Sequence, residues 1–400
     1  MYSYMTHLQC PKCKQSYEKG DIHHLCECGS PLLVQYDLER VKQEWTKDSL
    51  AEEPLSLWRY HPLLPVEQAK DVVTFGEGMT PLLPMHQYGA TIGLPQLFMK
   101  DEGLLPTGSF KARGAAVGVS MAKALGIKEL AMPTNGNAGA AWAQYGARAG
   151  LRAHVVMPED APEITRKEVA ISGGHLTLID GLISDAGKVV AEAIRTYGYY
   201  DASTLKEPYR IEGKKTMGLE ICEQLKWTLP DVILYPTGGG VGLIGIYKAI
   251  QELRTIGWVK GEMPRLVAVQ AEGCAPIVDA FHEGRTESTF FENAHTAAFG
   301  INVPKAIGDF LVLEAIYETN GCAIALSDED ILHEQQVVAQ LEGAFLCPEG
   351  AATFAAAKQL VQTGWLKEDD VVICLNTGMG VKYPESVQVE SPVISKNGSI

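Results

Sequence analysis

Short apolar runs alternate with longer, Ala-rich amphipathic runs over most of the chain from about residue 70 onward. ELAMPT (129–134), RAHVVMP (152–158), HLTLID (175–180), DVILYPTGGG (231–240), RLVAVQAEG (265–273) and DDVVICLNTG (369–378) read as buried strands ending in loops. AGAAWAQYGARAG (138–150), PEITRKEVAISGG (162–174), SDAGKVVAEAIRTYG (184–198) and VGLIGIYKAIQEL (241–253) carry helical spacing. The Ser184-Asp185 start of the third predicts an N-cap there. Strands alternating with helices predict mostly parallel sheets covered on both faces, and the number of units predicts two of them. Residues 1–35 break the pattern as a Cys-rich head. Residues 44–66 are Pro-interrupted and read as a connector.

Composition narrows the function. The 400 residues are 46% hydrophobic and 21% charged, ordinary for a chain with real cores. A net charge of −15 argues against a nucleic-acid partner, since a phosphate backbone selects clustered Lys and Arg. No apolar run is long enough for a bilayer, and the first twenty residues lack a signal-peptide pattern, so a cytoplasmic protein with no membrane partner is expected.

Four of the nine cysteines fall between positions 10 and 28. Cys10-Pro-Lys-Cys13 and Cys26-Glu-Cys28 offer two close-spaced sulfur pairs, which suit tetrahedral zinc, Zn²⁺. A head this short buries little core, so a structural metal would account for its folding. The second pair has one intervening residue rather than two, and His23 or His24 could replace a cysteine.

Three glycine-rich loops follow strands. PTGGGVGL (236–243) opens a helix, where free backbone N–H groups cradle a phosphate. It lacks the GxGxxG pattern and the GK[ST] of a P-loop, so a single phosphate monoester fits better than a dinucleotide or ATP. PTNGNAG (133–139) offers the Asn135 and Asn137 amides and a helix start suited to a carboxylate. NTGMG (376–380) places the neutral Thr377 hydroxyl at the end of the last strand. Between them in kind stands Lys111 of LLPTGSFKARGAA, at the start of a small-residue helix. A lysine, a phosphate cup, a carboxylate loop and a hydroxyl are together what pyridoxal 5'-phosphate requires. A neutral partner for the ring nitrogen favours elimination and replacement over aminotransfer.

These motifs together resemble fold-type II pyridoxal-phosphate enzymes, and most closely the threonine synthase family, over roughly residues 75–385. The resemblance implies two three-layer αβα domains of the tryptophan synthase β-like kind plus a small N-terminal zinc ribbon. The division expected is a head at 1–35, a smaller α/β domain at 78–200, a larger one formed by 36–77 and 201–385, and a flexible tail at 386–400. It implies Lys111 as the Schiff-base residue beside Phe110, with Asn137, Thr377 and the loop Gly238, Gly239, Gly240, Val241 and Gly242 as further cofactor contacts. Thr134, Asn135 and Gly136 would hold the carboxylate of an amino-acid substrate. EPYRIEGKKT (207–216) is similar to the segment whose arginine, here Arg210, meets a substrate phosphate, with help from Ser203 or Lys215. The activity implied is conversion of O-phospho-L-homoserine and water to L-threonine and phosphate by a homodimer.

The sequence departs from that pattern in places. Ala112 in GSFKARG and the glycine-rich phosphate loop lean toward a threonine or serine dehydratase, and Ala202-Ser203-Thr204 ahead of Arg210 matches the second phosphate site only in part. A β-replacement synthase acting on phosphoserine, cysteate synthase-like, is a second alternative. A non-catalytic binding protein is disfavoured because Lys111, Asn137 and Thr377 occur together.

Overall fold

The computed structural model describes residues 2–394 and 396. Of the tail expected to be flexible, residues 395 and 397–400 lie outside the described residues.

Thirteen strands form three sheets among the described residues. β1 (Met5–Gln9), β2 (Ser16–Glu18) and β3 (Leu33–Tyr36) make an antiparallel head sheet in the order β2-β1-β3. β4 (Leu82–Pro84), β5 (Leu97–Asp101), β6 (Glu129–Pro133), β7 (Arg152–Pro158), β8 (His175–Ile179), β9 (Tyr200–Asp201), β10 (Val232–Pro236), β11 (Arg265–Ala271), β12 (Cys322–Leu326) and β13 (Val372–Asn376) build the body. The six-stranded sheet runs β12-β11-β10-β13-β5-β4, parallel except for the edge strand β4, and the four-stranded sheet runs β8-β7-β6-β9, all parallel.

Strand periodicity sorts the core. Ile233, Tyr235, Leu266, Ala268, Ile373 and Leu375 face one side of the large sheet, against the helices Arg210–Gln224 and Val241–Thr255. Their neighbours Val232, Leu234, Val267, Val269, Val372 and Cys374 face the other, against the helix Pro348–Gln362. Both faces are therefore apolar, as a covered parallel sheet requires. In the small sheet Leu130, Met132, Val155 and Met157 face the helices Lys111–Ala124 and Asn137–Ala149, while Ala131 and Val156 meet Ala186 and Val190.

The sheet pairing corrects one boundary. β4 and β5 belong to the large sheet, with β5 paired in parallel to β13, so the small sheet begins at Glu129 rather than within a unit starting at residue 78. The chain leaves the large sheet after β5, builds the small one, and returns at β10. A second correction concerns a cap. The helix Ile183–Tyr197 starts before Ser184, and its Leu182 N–H is satisfied at 3.1 Å by Asp185 reaching back from inside the first turn.

Candidate active site

Lys111 is the first residue of the helix Lys111–Ala124. The loop before it is tied to the end of β13: Phe110 N–H donates to the Thr377 carbonyl at 2.9 Å, and Met379 N–H to the Gly108 carbonyl at 2.9 Å. Two residues into the helix, Arg113 is fully buried and joins Glu102 and Glu220 at 2.5 Å each; Lys100 of β5 meets the same Glu220 at 2.7 Å. Two cations and two anions balance there. The paired, hydrogen-bonded arrangement is the condition under which buried charge is tolerated. It fixes the helix start, and hence Lys111, against the large sheet.

Lys111 opens onto a cavity of ≈ 820 Å³. Burial, with Arg210 second, lowers its amine from the usual 10.5 to about 8. A large share of the amine is then neutral near pH 8, the form that can attack a carbonyl.

The loop after β10 lines the same cavity with Gly238–Gly242. Gly240 has φ +74°, and a Cβ there would lie 2.1 Å from Val312 Cγ2; one at Gly242 would lie 1.9 Å from the Tyr235 hydroxyl. Only glycine fits these places, and the helix that starts at Val241 points its free N–H groups into the space. The PTNGNAG loop forms the opposite wall. Gly136 N–H donates to Thr134 Oγ1 at 3.0 Å, Asn135 Nδ2 reaches the Asn302 carbonyl at 3.2 Å, and Gly136 at φ +142° leaves no room for a Cβ beside Thr165. Thr377 closes the floor, its Oγ1 3.7 Å from Cys347 Sγ.

Arg210 also lines the cavity, already held by its own surroundings. It donates to the Ala202 carbonyl, to Thr204 Oγ1 at 3.1 Å and to Glu207 Oε2 at 3.3 Å, and its guanidinium lies 4.8 Å from the Trp142 ring centroid. Ser203 lines the wall beside it, with its hydroxyl on Asp201. Lys215 is the correction. It is buried away from the cavity, paired with Glu212 at 2.5 Å and Glu252 at 2.8 Å, 4.1 Å from the Tyr36 ring centroid. The cavity wall carries Lys214 instead.

Three further residues enter the site without having been singled out. Tyr383 accepts from Asn137 Nδ2 at 2.7 Å. Glu349 takes the Gly300 N–H at 2.5 Å with one oxygen. Cys347 caps the helix Pro348–Gln362 by accepting from Gly350 N–H at 3.3 Å. The Cys-Pro-Glu run at that helix start was the available signal for the last two. Tyr383, in a Pro-flanked turn, gave none.

In the head, Cys10, Cys13, Cys26 and Cys28 converge with all four sulfurs within 4.8 Å of one another; Cys10 and Cys28 are 3.5 Å apart, Cys13 and Cys26 3.4 Å. Four thiolates around one zinc, at about 2.3 Å each, stand about 3.8 Å apart, so the set fits that ion. Neither histidine joins them: His23 Nε2 meets the Glu18 carbonyl at 3.1 Å and His24 Nδ1 the Lys206 carbonyl at 3.2 Å. No helix among the described residues is long and apolar enough to cross a membrane.

Comparison with known proteins extends this picture. Residues 73–378 match the model of the family described as pyridoxal-phosphate dependent enzyme. The chain is 33% identical to a threonine synthase of Methanocaldococcus jannaschii, over 94% of this chain and 93% of that one. It is 37% identical to a threonine synthase of Methanosarcina acetivorans, over 96% and 94%. Among solved structures, maize serine racemase superposes with a TM-score of 0.65 at 23% identity, covering 76% of this chain and 88% of that one. That likeness concerns the fold.

Proposed function

Since the chain belongs to the threonine synthase family of pyridoxal-phosphate dependent enzymes, we infer that it converts O-phospho-L-homoserine and water to L-threonine and phosphate. The observation that carries the reading is the convergence of Lys111, the Gly238–Gly242 helix start, Asn137 and Arg210 on one cavity. The cavity fits the cofactor. Its glycine cup has room for a phosphate where any side chain would collide. The buried Asn137 Oδ1 and Tyr235 hydroxyl of its lining residues lack partners among the described residues.

When bound, pyridoxal phosphate supplies an aldehyde for Lys111 and a conjugated ring that takes up electrons from the substrate's Cα. The chain does the rest. Gly238, Gly239, Gly240, Val241 and Gly242 would hold the cofactor phosphate, Thr377 would offer its hydroxyl to the ring nitrogen, and Asn137 and Phe110 would border the ring. Thr134, Asn135 and Gly136 take the substrate carboxylate at the start of the helix Asn137–Ala149. Lys111 Nζ accepts the Cα proton. A second proton leaves Cβ as phosphate departs from Cγ; a proton is then returned to Cγ, water gives its hydroxyl to Cβ, and a proton returns to Cα. Arg210 and Ser203 orient the departing phosphate. The enclosing walls keep water out until that addition.

Zinc in the Cys10, Cys13, Cys26 and Cys28 cluster, a homodimer and a cytoplasmic location complete the proposal. A smaller and a larger α/β domain, meeting at this cavity, frame it. Purified protein offered O-phospho-L-homoserine, threonine, serine and phosphoserine, with phosphate, ammonia and keto acid scored, tests the activity. Phosphate release with threonine formation supports it. Brisk ammonia release from threonine with no use of phosphohomoserine makes the protein a dehydratase.

A further inference from the structure

Four lysines are buried among the described residues: Lys100, Lys214, Lys215 and Lys382. Three have carboxylate partners, Lys100 with Glu220, Lys215 with Glu212 and Glu252, and Lys382 with Glu168. Lys214 makes no ion pair among the described residues. Its amine donates to the Phe110 carbonyl and sits 3.9 Å from the Phe110 ring centroid, on the cavity wall. Gly114 makes the room: a Cβ there would lie 3.0 Å from Lys214 Cε.

Arg210 precedes Lys214 by four residues in the helix Arg210–Gln224, so the two stand one turn apart on the same face. Their charges differ in one respect. The Arg210 guanidinium is offset by Glu207 at 3.3 Å, whereas the amine of Lys214 has no counter-ion. A buried ammonium with no partner is costly, which favours the neutral amine while no anion is present. Burial, and after it the neighbouring Lys111, pull its pKa well below the ordinary value.

We propose that Lys214 completes the subsite for the substrate's phosphate with Arg210, and takes up one proton from the solvent as the anion enters. The proposal rests on the reading of the cavity given above. The charged groups around Lys214 are Arg210 on its own helix, Lys111 and Arg113 on the helix Lys111–Ala124, and Glu102 in the turn after β5. Arg113 is already offset by Glu102 and Glu220 and Arg210 by Glu207, so an entering dianion supplies the counter-charge that Lys214 lacks among the described residues. A substrate without phosphate leaves Lys214 neutral and gains nothing from it. Lys214 is thus a specificity-determining residue for phosphorylated over plain amino acids.

The test uses the cofactor-loaded enzyme, its cofactor cup filled, with O-phospho-L-homoserine as substrate and inorganic phosphate as inhibitor. In Lys214→Gln, which keeps a donor for the Phe110 carbonyl, KM and the phosphate inhibition constant should both rise about 10- to 100-fold, the range for losing a charged hydrogen bond. Cofactor absorbance should be retained and kcat should change less. Calorimetric titration of the unmutated enzyme with phosphate at about pH 8, where the free anion is already the dianion, in two buffers of different ionisation enthalpy, should show uptake of about one proton per site. No proton uptake overturns the proposal without any variant. So does a Lys214→Gln enzyme that keeps its phosphate inhibition, that loses only kcat, or that loses the cofactor. Failure of the functional reading is separate, because it is scored on the unmutated enzyme by its neglect of phosphohomoserine.

Discussion

Tyr383 and Asn137 are 246 residues apart in sequence and share a 2.7 Å hydrogen bond on the cavity wall, the amide donating to the phenol oxygen. With its Nδ2 engaged there, Asn137 has a buried Oδ1 that lacks a partner among the described residues. Tyr383→Phe should remove the contact that fixes this orientation. The expected loss in kcat/KM is about five-fold, the worth of one ordinary hydrogen bond. Steady-state kinetics beside the absorbance of the bound cofactor would check it, with the spectrum shifted and the cofactor content kept.

Lys111→Ala should remove the covalent hold on the cofactor. Turnover is expected to fall by about three orders of magnitude or more, and the absorbance band at the visible edge should be lost from the desalted protein. Full activity in this variant contradicts the assignment of Lys111.

The lowered pKa of Lys111 has a kinetic signature. Only the neutral amine attacks an aldehyde, and burial shifts its appearance down to about 8. The rate at which cofactor-free protein captures pyridoxal phosphate should rise with pH and level off above about pH 8, two units earlier than for an exposed lysine. Stopped-flow absorbance across pH 6 to 10 measures it, and a rise still steep at pH 10 would sink the reading.

Arg210→Ala removes a guanidinium from the substrate end and leaves Glu207 buried without its partner. Transition-state stabilisation with phosphohomoserine should drop by about 2–4 kcal/mol, and cofactor binding should survive because the glycine cup is separate. Arg210→Lys should recover only part, since one ammonium cannot reach the Ala202 carbonyl, Thr204 and Glu207 together.

Elemental analysis of protein purified under reducing conditions should find about one zinc per chain. Cys26→Ser should lower that content and the melting temperature together, because metal binding and head folding are one equilibrium. Metal-free protein with an unchanged melting curve would count against the site.

Six of the ten body strands were legible because each is a short apolar run ending in a loop, while β4, β9 and β12 were not. The glycine loops were legible because phosphate cups have a narrow composition. β5 was not, since LFMKD carries Lys100 and Asp101, and nothing local says that Lys100 is buried against Glu220 of a distant helix. The helix Arg210–Gln224 hid for the same reason: Glu212, Lys214, Lys215 and Glu220 look like surface charges and are all buried. The choice between Lys214 and Lys215 was beyond local reading. Adjacent helical residues differ by about 100° in direction, and Lys215 is drawn away by Glu252 on a neighbouring helix.

The path of the chain between β5 and β10 has a consequence for how such a protein can change over generations. The excursion that builds the small sheet is bracketed by one buried cluster, Arg113 on its way out and Glu220 on its way back. An excursion pinned at both ends can be rewritten inside without rerouting its host. The carboxylate loop and Ser203 lie within it, while the glycine cup and Thr377 lie outside. Substrate contacts are therefore concentrated in the excursion, whereas cofactor contacts are divided between it, through Lys111 and Asn137, and its host.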